Sequence, residues 1–346
     1  MRYMFSESRS LLVLYTLIAM ISFDLPHELI AQEPASPRDA ARLLVYDRKT
    51  KVMTDAVFKD ILRYLPKNST IVVNDSKVEQ CRYLFDDGKT ELFVLEKLDT
   101  HTVRAMVRPG KRFKLGDTAV LTDWLQAEVT AIDADGFRTL KLNVQHDDTR
   151  LIAYEHIPLP PYIAQNDSLA AEYQTVYAEP LGSKAAPTAG LHFTDDLLSK
   201  IQKSHPVAKV TLHVGLGTFA KLTDEQLAAG RLHKEQYEIT PSVAAVLNNA
   251  QHITSVGTTT VRTLESNKRD YGKFTAAKNS TDILIQPRYE YGAVDSLITN
   301  FHLPSTSLLL LVEAFVGSAT ELQKIYDHAI SSKYRFYSFG DAMLLL

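Results

Sequence analysis

Four histidines stand in or beside short loops, and imidazole is the side chain best suited to move protons near neutral pH. His192 lies in Ala189-Gly190-Leu191-His192-Phe193-Thr194, and His213 opens His213-Val214-Gly215-Leu216-Gly217-Thr218. His302 follows Asn300 in a polar loop that ends at Pro304, and His233 precedes Lys234 and Glu235. A third glycine loop, Gly257-Thr258-Thr259-Thr260-Val261-Arg262, offers three consecutive hydroxyls and a guanidinium. Glycine lets a ligand approach the backbone, and the free N–H groups of a helix start attract anionic or polar groups. Three such loops with threonine-rich flanks favour a ligand that carries a ribose or a carboxylate. The phosphate-loop and dinucleotide glycine spacings are both absent. No histidine pair has helical metal-ligand spacing and Cys81 is the single cysteine, so no metal is expected. Each histidine has a plainer alternative, a neutral ring that satisfies backbone groups. Glu235, Glu265, Glu313 and Asp341 are the candidate carboxylate partners, with caps and ion pairs as their plainer roles.

A second constellation is cationic. Arg104, Arg108, Lys111, Arg112 and Lys114 fall within eleven residues, beside Phe113. That density suits a nucleic-acid backbone, against the alternative of a solvated hairpin. Arg38 and Arg42 are expected four apart on one helical face, as an anion site or a solvated basic face. The net charge of the 346 residues is −3. Any nucleic-acid surface must therefore be a local patch.

The elements that position these groups are legible from pattern. Residues 297–315 pass from buried strand to loop to helix, with a hydroxyl N-cap at Ser305 and an apolar run at 308–312. Loops at the carboxyl ends of strands are where α/β proteins bind ligands, which puts Asn300 and His302 in a site. Residues 69–150 read differently, as short β-rich runs separated by Asp-Gly and Pro-Gly turns. The expected fold class is α/β, with one α/β domain (23–68 plus 151–346) and an inserted small β-barrel domain (69–150). A helix is expected from Ser36-Pro37 and another over 57–65; Thr194, Thr223 and Thr240 are expected helix caps. Residues 1–22 are expected to be an extension outside the fold, disordered or upstream of a natural start at Met20. Their eleven-residue apolar run resembles a signal segment but lacks a cleavage site, and it is too short to span a membrane.

Long motifs then identify the chain as similar to a known family. GSKAAPTAGLHFT (182–194), VTLHVGLGTF (210–219), LHKEQYEI (232–239), VGTTTVRTLES (256–266), LITNFHLPSTSLLLLVEAF (297–315) and YRFYSFGDAMLL (334–345) resemble those of the S-adenosylmethionine:tRNA ribosyltransferase-isomerases of the queuosine pathway. With FDLPHELIAQEP (23–34), PLPPYI (158–163) and YQTVYA (173–178), the resemblance runs from Phe23 to Leu345. It implies transfer of the ribosyl group of S-adenosylmethionine to 7-aminomethyl-7-deazaguanine at the tRNA wobble position. Adenine and methionine leave, and the product is epoxyqueuosine.

On that reading His192, His213 and His302 are the expected proton-transfer residues. Gly190, Gly215, Gly217, Thr218, Thr258, Thr259, Thr260 and Asn300 would hold the nucleoside and methionine, with Arg262 on the methionine carboxylate. Arg38, Arg42 and the five cations of 104–114 would contact tRNA. S-adenosylmethionine is expected as substrate with no further cofactor, in a cytoplasmic, monomeric enzyme without a membrane segment. Three departures from the family pattern stand out: NDSKVEQCRYLF (74–85), Leu232, and Gln286 with Arg288 in IQPRYEY (285–291). Arg288 replaces a more usual glycine, whose conformations arginine adopts only at a cost. Two competing readings are a paralogue that uses another acceptor and a non-enzymatic RNA-binding protein.

Overall fold

The computed structural model describes residues 21–164, 166–215 and 222–346. Residues 1–20 and the loop positions Gly217 and Thr218 lie outside the described residues. Ile21 is buried among core side chains, so the expected extension cannot reach residue 22.

A nine-stranded mixed sheet forms the centre of the molecule. Its spatial order is Ala277–Ile283, Arg231–Ile239, Val207–Leu212, Ser69–Asn74, His252–Val256, Ser296–Asn300, Ala342–Leu345, Arg42–Asp47, Val52–Val57. Four neighbours at its middle, Val207–Leu212 through Ser296–Asn300, run parallel. Continuous apolar runs suit strands covered on both faces. Leu44, Tyr46 and Val72 pack on one face; Leu43, Val45, Ile71 and Val73 pack on the other. The first face is covered by the helices Thr258–Tyr271, Ser307–Val316 and Ala319–Ser331; the second by Asp195–Gln202 and the 3-10 helix Phe58–Arg63.

The other large sheet has seven antiparallel strands between Arg82 and His156, ordered Glu155–His156, Arg82–Phe85, Thr90–Lys97, Thr102–Arg108, Arg138–Leu142, Gln126–Ile132, Thr118–Val120. It curls round its own core, which holds Phe85, Phe113, Ala127, Leu140 and Cys81. Among the described residues its two edge strands do not pair with each other. Burial raises the Cys81 thiol pKa to about 12, so Cys81 serves as a small core hydrophobe.

Several sequence expectations need correction. The boundary at 69 is too early, because Ser69–Asn74 is a fully buried central strand of the large sheet. The boundary at 150 is also early, since Leu151 joins the smaller core and Glu155–His156 pairs with Arg82–Phe85. The helix expected over 57–65 is shorter and not an α-helix: Val52–Val57 is an edge strand and Phe58–Arg63 a 3-10 helix. Ser36 caps nothing; the helix there is the three-residue 3-10 turn Arg38–Ala40, and Arg42 starts a strand. Thr194, Thr223 and Thr240 cap helices as expected, Thr223 in a full capping box with Gln226. The cap after the His302 loop is Thr306, not Ser305, whose backbone is left-handed at φ 61°.

Candidate active site

The carboxyl ends of the parallel strands converge on two adjoining cavities. Val256 leads into Gly257 and the helix Thr258–Tyr271, and Ser296–Asn300 leads into the His302 loop. The smaller cavity, about 70 Å³, is lined by Thr258, Thr259, Asn300, His302, Tyr162 and Tyr337 among others. The larger, about 360 Å³, opens between the two sheets, with Arg262, Glu235, Lys184 and Gly215 on one side and Arg104 and Phe137 on the other. Ser307 borders the larger cavity and its neighbours Thr306 and Leu308 the smaller. The larger volume is in the usual range for small-molecule sites, roughly 300–1,000 Å³.

Asn300 is the best-anchored polar group of the smaller cavity. Its Nδ2 donates to the carbonyls of Tyr337 (2.8 Å) and Ser338 (3.2 Å), which leaves Oδ1 to accept from His192 Nε2 at 3.0 Å. Since only a ring N–H can fill that bond, His192 carries its proton on Nε2. The His192 ring is buried against Phe58, 5.0 Å between centroids, and desolvation lowers its pKa to about 4. His192 thus does not line the cavity; it orients Asn300, which does. His302 lines the cavity directly. Its Nε2 lies 2.9 Å from Thr299 Oγ1, its backbone N–H donates to the Tyr326 hydroxyl, and burial lowers its pKa to about 4. Both rings are neutral at pH 7.

The expected histidine cluster is therefore split. His213 lines neither cavity: its ring packs on Gly182, where a Cβ would come within 2.8 Å of Nδ1, and burial lowers its pKa. His233 lines the larger cavity and is exposed. Thr258 and Thr259 line the smaller cavity, and Thr259 Oγ1 accepts from Asn74 Nδ2 at 3.3 Å. Thr260 faces away, its hydroxyl bonded to the Val256 carbonyl at 2.7 Å. Gly190 is required by packing, because a Cβ would stand 2.1 Å from the Tyr177 hydroxyl. Arg262 is buried and ion-paired with Glu235, whose other oxygen accepts from the Gly215 N–H at 3.1 Å. One carboxylate thus fixes both the arginine and the loop.

The cationic assignments also change. Arg38 is bound to Glu172 and to the carbonyls of Gln174 and Ala171; Arg42 bonds the Ser332 carbonyl and lies over the Tyr334 ring at 3.7 Å. Both are tied into the fold. In the smaller sheet Arg104 pairs with Asp133, Arg108 with Glu91 and Arg112 with Asp86. Lys111 and Lys114 are exposed, and no partner is found for either among the described residues.

The sequence reading missed Tyr162, Tyr337 and Ser338. Tyr162 and Ser338 share a hydroxyl–hydroxyl bond of 2.8 Å, and the two tyrosine rings are 4.3 Å apart. Tyr337 has φ 73°, a left-handed backbone uncommon for a bulky residue. Such outliers concentrate at functional sites. The signal for them lay in the motifs 158–163 and 334–345, which carry no charge or histidine at these positions. Among the described residues, no group of three or more His, Cys, Asp or Glu side chains is placed to hold a metal ion.

Comparison with known proteins gives the family. A family model for queuosine biosynthesis proteins matches residues 18–345. The S-adenosylmethionine:tRNA ribosyltransferase-isomerase of Thermotoga petrophila is 42% identical over 95% of this chain and 99% of its own length. Those of Treponema denticola and Staphylococcus haemolyticus are 42% and 41% identical, each over 94% of this chain and 98% of their own. The crystal structure of S-adenosylmethionine tRNA ribosyltransferase from Thermotoga maritima superposes with a TM-score of 0.53 at 35% identity, covering 94% of this chain and 99% of that one. Full-length similarity of this kind makes this chain a member of the queuosine biosynthesis protein family.

Proposed function

We propose that the chain is an S-adenosylmethionine:tRNA ribosyltransferase-isomerase that moves the ribosyl group of S-adenosylmethionine onto 7-aminomethyl-7-deazaguanine in the tRNA anticodon. One observation carries the assignment to this site. The neutral His302, the hydroxyls of Thr258 and Thr259, and Asn300 meet at the carboxyl ends of the parallel strands, next to a larger cavity that opens toward the second sheet. The smaller cavity takes one part of the donor nucleoside, the rest of the donor lies in the larger, and the tRNA base enters from the larger. The sulfonium acidifies the C5′ hydrogens, and a neutral imidazole can take up a proton from that carbon. His302 is the proton-transfer residue; His192 holds Asn300 in place and His213 has no part in the chemistry. Arg262, pre-oriented by Glu235, receives the methionine carboxylate.

The seven-stranded sheet acts as an inserted barrel-like domain that presents Lys111 and Lys114 to the tRNA backbone. S-adenosylmethionine is consumed as substrate and no other cofactor is needed. The enzyme works as a cytoplasmic monomer. Among the described residues no helix is long and apolar enough to cross a membrane.

Adenine release from S-adenosylmethionine is the direct test. Release only in the presence of tRNA bearing 7-aminomethyl-7-deazaguanine is the expected result. Release with unmodified tRNA would point to another acceptor, and tRNA binding without any release to a non-enzymatic role.

A further inference from the structure

The segment Tyr334–Asp341 is bound down at almost every turn. Asp341 accepts from the backbone N–H of Arg42 (2.9 Å) and of Arg335 (2.8 Å), so it ties the segment's start to its end and to the neighbouring strand. Tyr337 N–H donates to the Phe301 carbonyl, Gly340 N–H to the Tyr337 carbonyl, and Asn300 holds the Tyr337 and Ser338 carbonyls. Gly340 sits so close to the chain that a Cβ would be 2.6 Å from the Arg335 carbonyl oxygen. These bonds hold Tyr337 at φ 73°. A bulky side chain there costs energy that glycine or asparagine would avoid. What the conformation gives in return is a ring on the cavity wall, beside Tyr162 at 4.3 Å with the planes tilted by 37°.

We propose that Tyr337 and Tyr162 form an aromatic subsite that takes the purine ring of the nucleoside donor, with Asn300 and His192 as positioning residues that hold Tyr337 in its left-handed conformation. This rests on the donor reading given above. Both rings are only partly buried and both line the smaller cavity, so they are wall and not core. A flat heteroaromatic ring gains from an aromatic face in a way that a ribose or a methionine chain does not. Hydroxyls of Thr258 and Thr259 stand round the same cavity and suit the sugar. The Tyr337 hydroxyl, its pKa raised by burial to about 12, stays protonated and can donate to a ring nitrogen.

Calorimetric titration with adenosine and, separately, with free methionine tests the assignment. Tyr337→Ala and Tyr162→Leu are expected to weaken adenosine roughly tenfold or more and leave methionine unchanged; Tyr337→Phe keeps adenosine within about threefold. Tyr337→Gly is expected to melt at a higher temperature than Tyr337→Ala yet bind adenosine no better, because glycine relieves the backbone without restoring the ring. A merely structural tyrosine would not separate stability from binding in this way. Unchanged adenosine affinity in folded Tyr162→Leu and Tyr337→Ala overturns the subsite. Wild-type protein that binds neither S-adenosylmethionine nor adenosine overturns the donor reading instead.

Discussion

His192 and His302 are chemically alike and differ in what their Nε2 atoms face. His192 spends its proton on Asn300, while His302 looks onto the cavity with only a threonine hydroxyl beside it. Replacing His302 by alanine should lower the rate of adenine release about 10²- to 10⁴-fold with the fold intact, as for loss of a general acid or base. The His192 ring has a second, purely thermodynamic signature. Its folded pKa of about 4 lies below the unfolded value of 6.5, so the unfolded chain binds the extra proton as pH falls. Stability is therefore full above about pH 6.5 and declines toward pH 4, by up to about 3 kcal/mol for a shift of this size. Urea unfolding at pH 5 and pH 7.5 should show the decline, to which the equally shifted His302 adds its own share, and His192→Gln should make it shallower by the His192 part alone. Sequence alone made the three histidines equivalent, because loop position shows proximity to a strand end and not the direction of a side chain. The structure separates them by burial and by partner.

At the scale of elements, the caps Thr194, Thr223 and Thr240, the central strands and the turn-separated strands of the smaller sheet were legible because each has a local cause: a hydroxyl before an apolar run, continuous apolar residues, Asp-Gly turns; Ser36 and Ser305 carry the same hydroxyl and cap no helix. The 3-10 helix Phe58–Arg63 was not, since its pattern of apolar spacing is shared with an α-helix and only packing against Phe193 and the sheet decides. The departure at Arg288 gives an independent check. Arg288 adopts φ 76° in a loop whose backbone Glu265 fixes through the N–H groups of Gly292 (3.1 Å) and Ala293 (2.9 Å). The loop thus keeps the conformation a glycine would take, and arginine bears the strain. Arg288→Gly should stabilise the protein by about 1 kcal/mol in urea titrations without altering adenine release. Gly190→Ala should do the opposite and cost about 2 kcal/mol or more, because Tyr177 leaves no room for a methyl group. The tyrosine wall escaped detection for a related reason: an aromatic residue in a loop looks like core until its neighbours are known.

For the whole molecule, the cationic surface is smaller than its sequence density suggests. Three of the five clustered cations face a carboxylate within the same sheet, and both upstream arginines are committed to the fold. Lys111 and Lys114 are exposed, and they are the two cations to which the proposed tRNA contact falls. Their joint replacement by alanine should weaken tRNA binding and reduce the slope of log affinity against log salt by up to roughly 0.7–0.9 per lysine, whereas Arg38→Ala should leave that slope unchanged and lower stability. Filter-binding titrations across a salt series read both.

The parallel pairing of Arg42–Asp47 with Ala342–Leu345 carries a consequence for biosynthesis. An interior strand of the main sheet comes from nearly three hundred positions later in the chain than the neighbour it pairs with, as Leu43 opposite Ala342 shows. Until the ribosome has delivered it, the edges of Arg42–Asp47 and Ser296–Asn300 are open to wrong partners, and the segment that carries Tyr337 has nothing to fasten to. Contacts of such long range fold slowly. Catalytic competence should therefore be among the last properties a nascent chain acquires, well after the independent core of the seven-stranded sheet has closed.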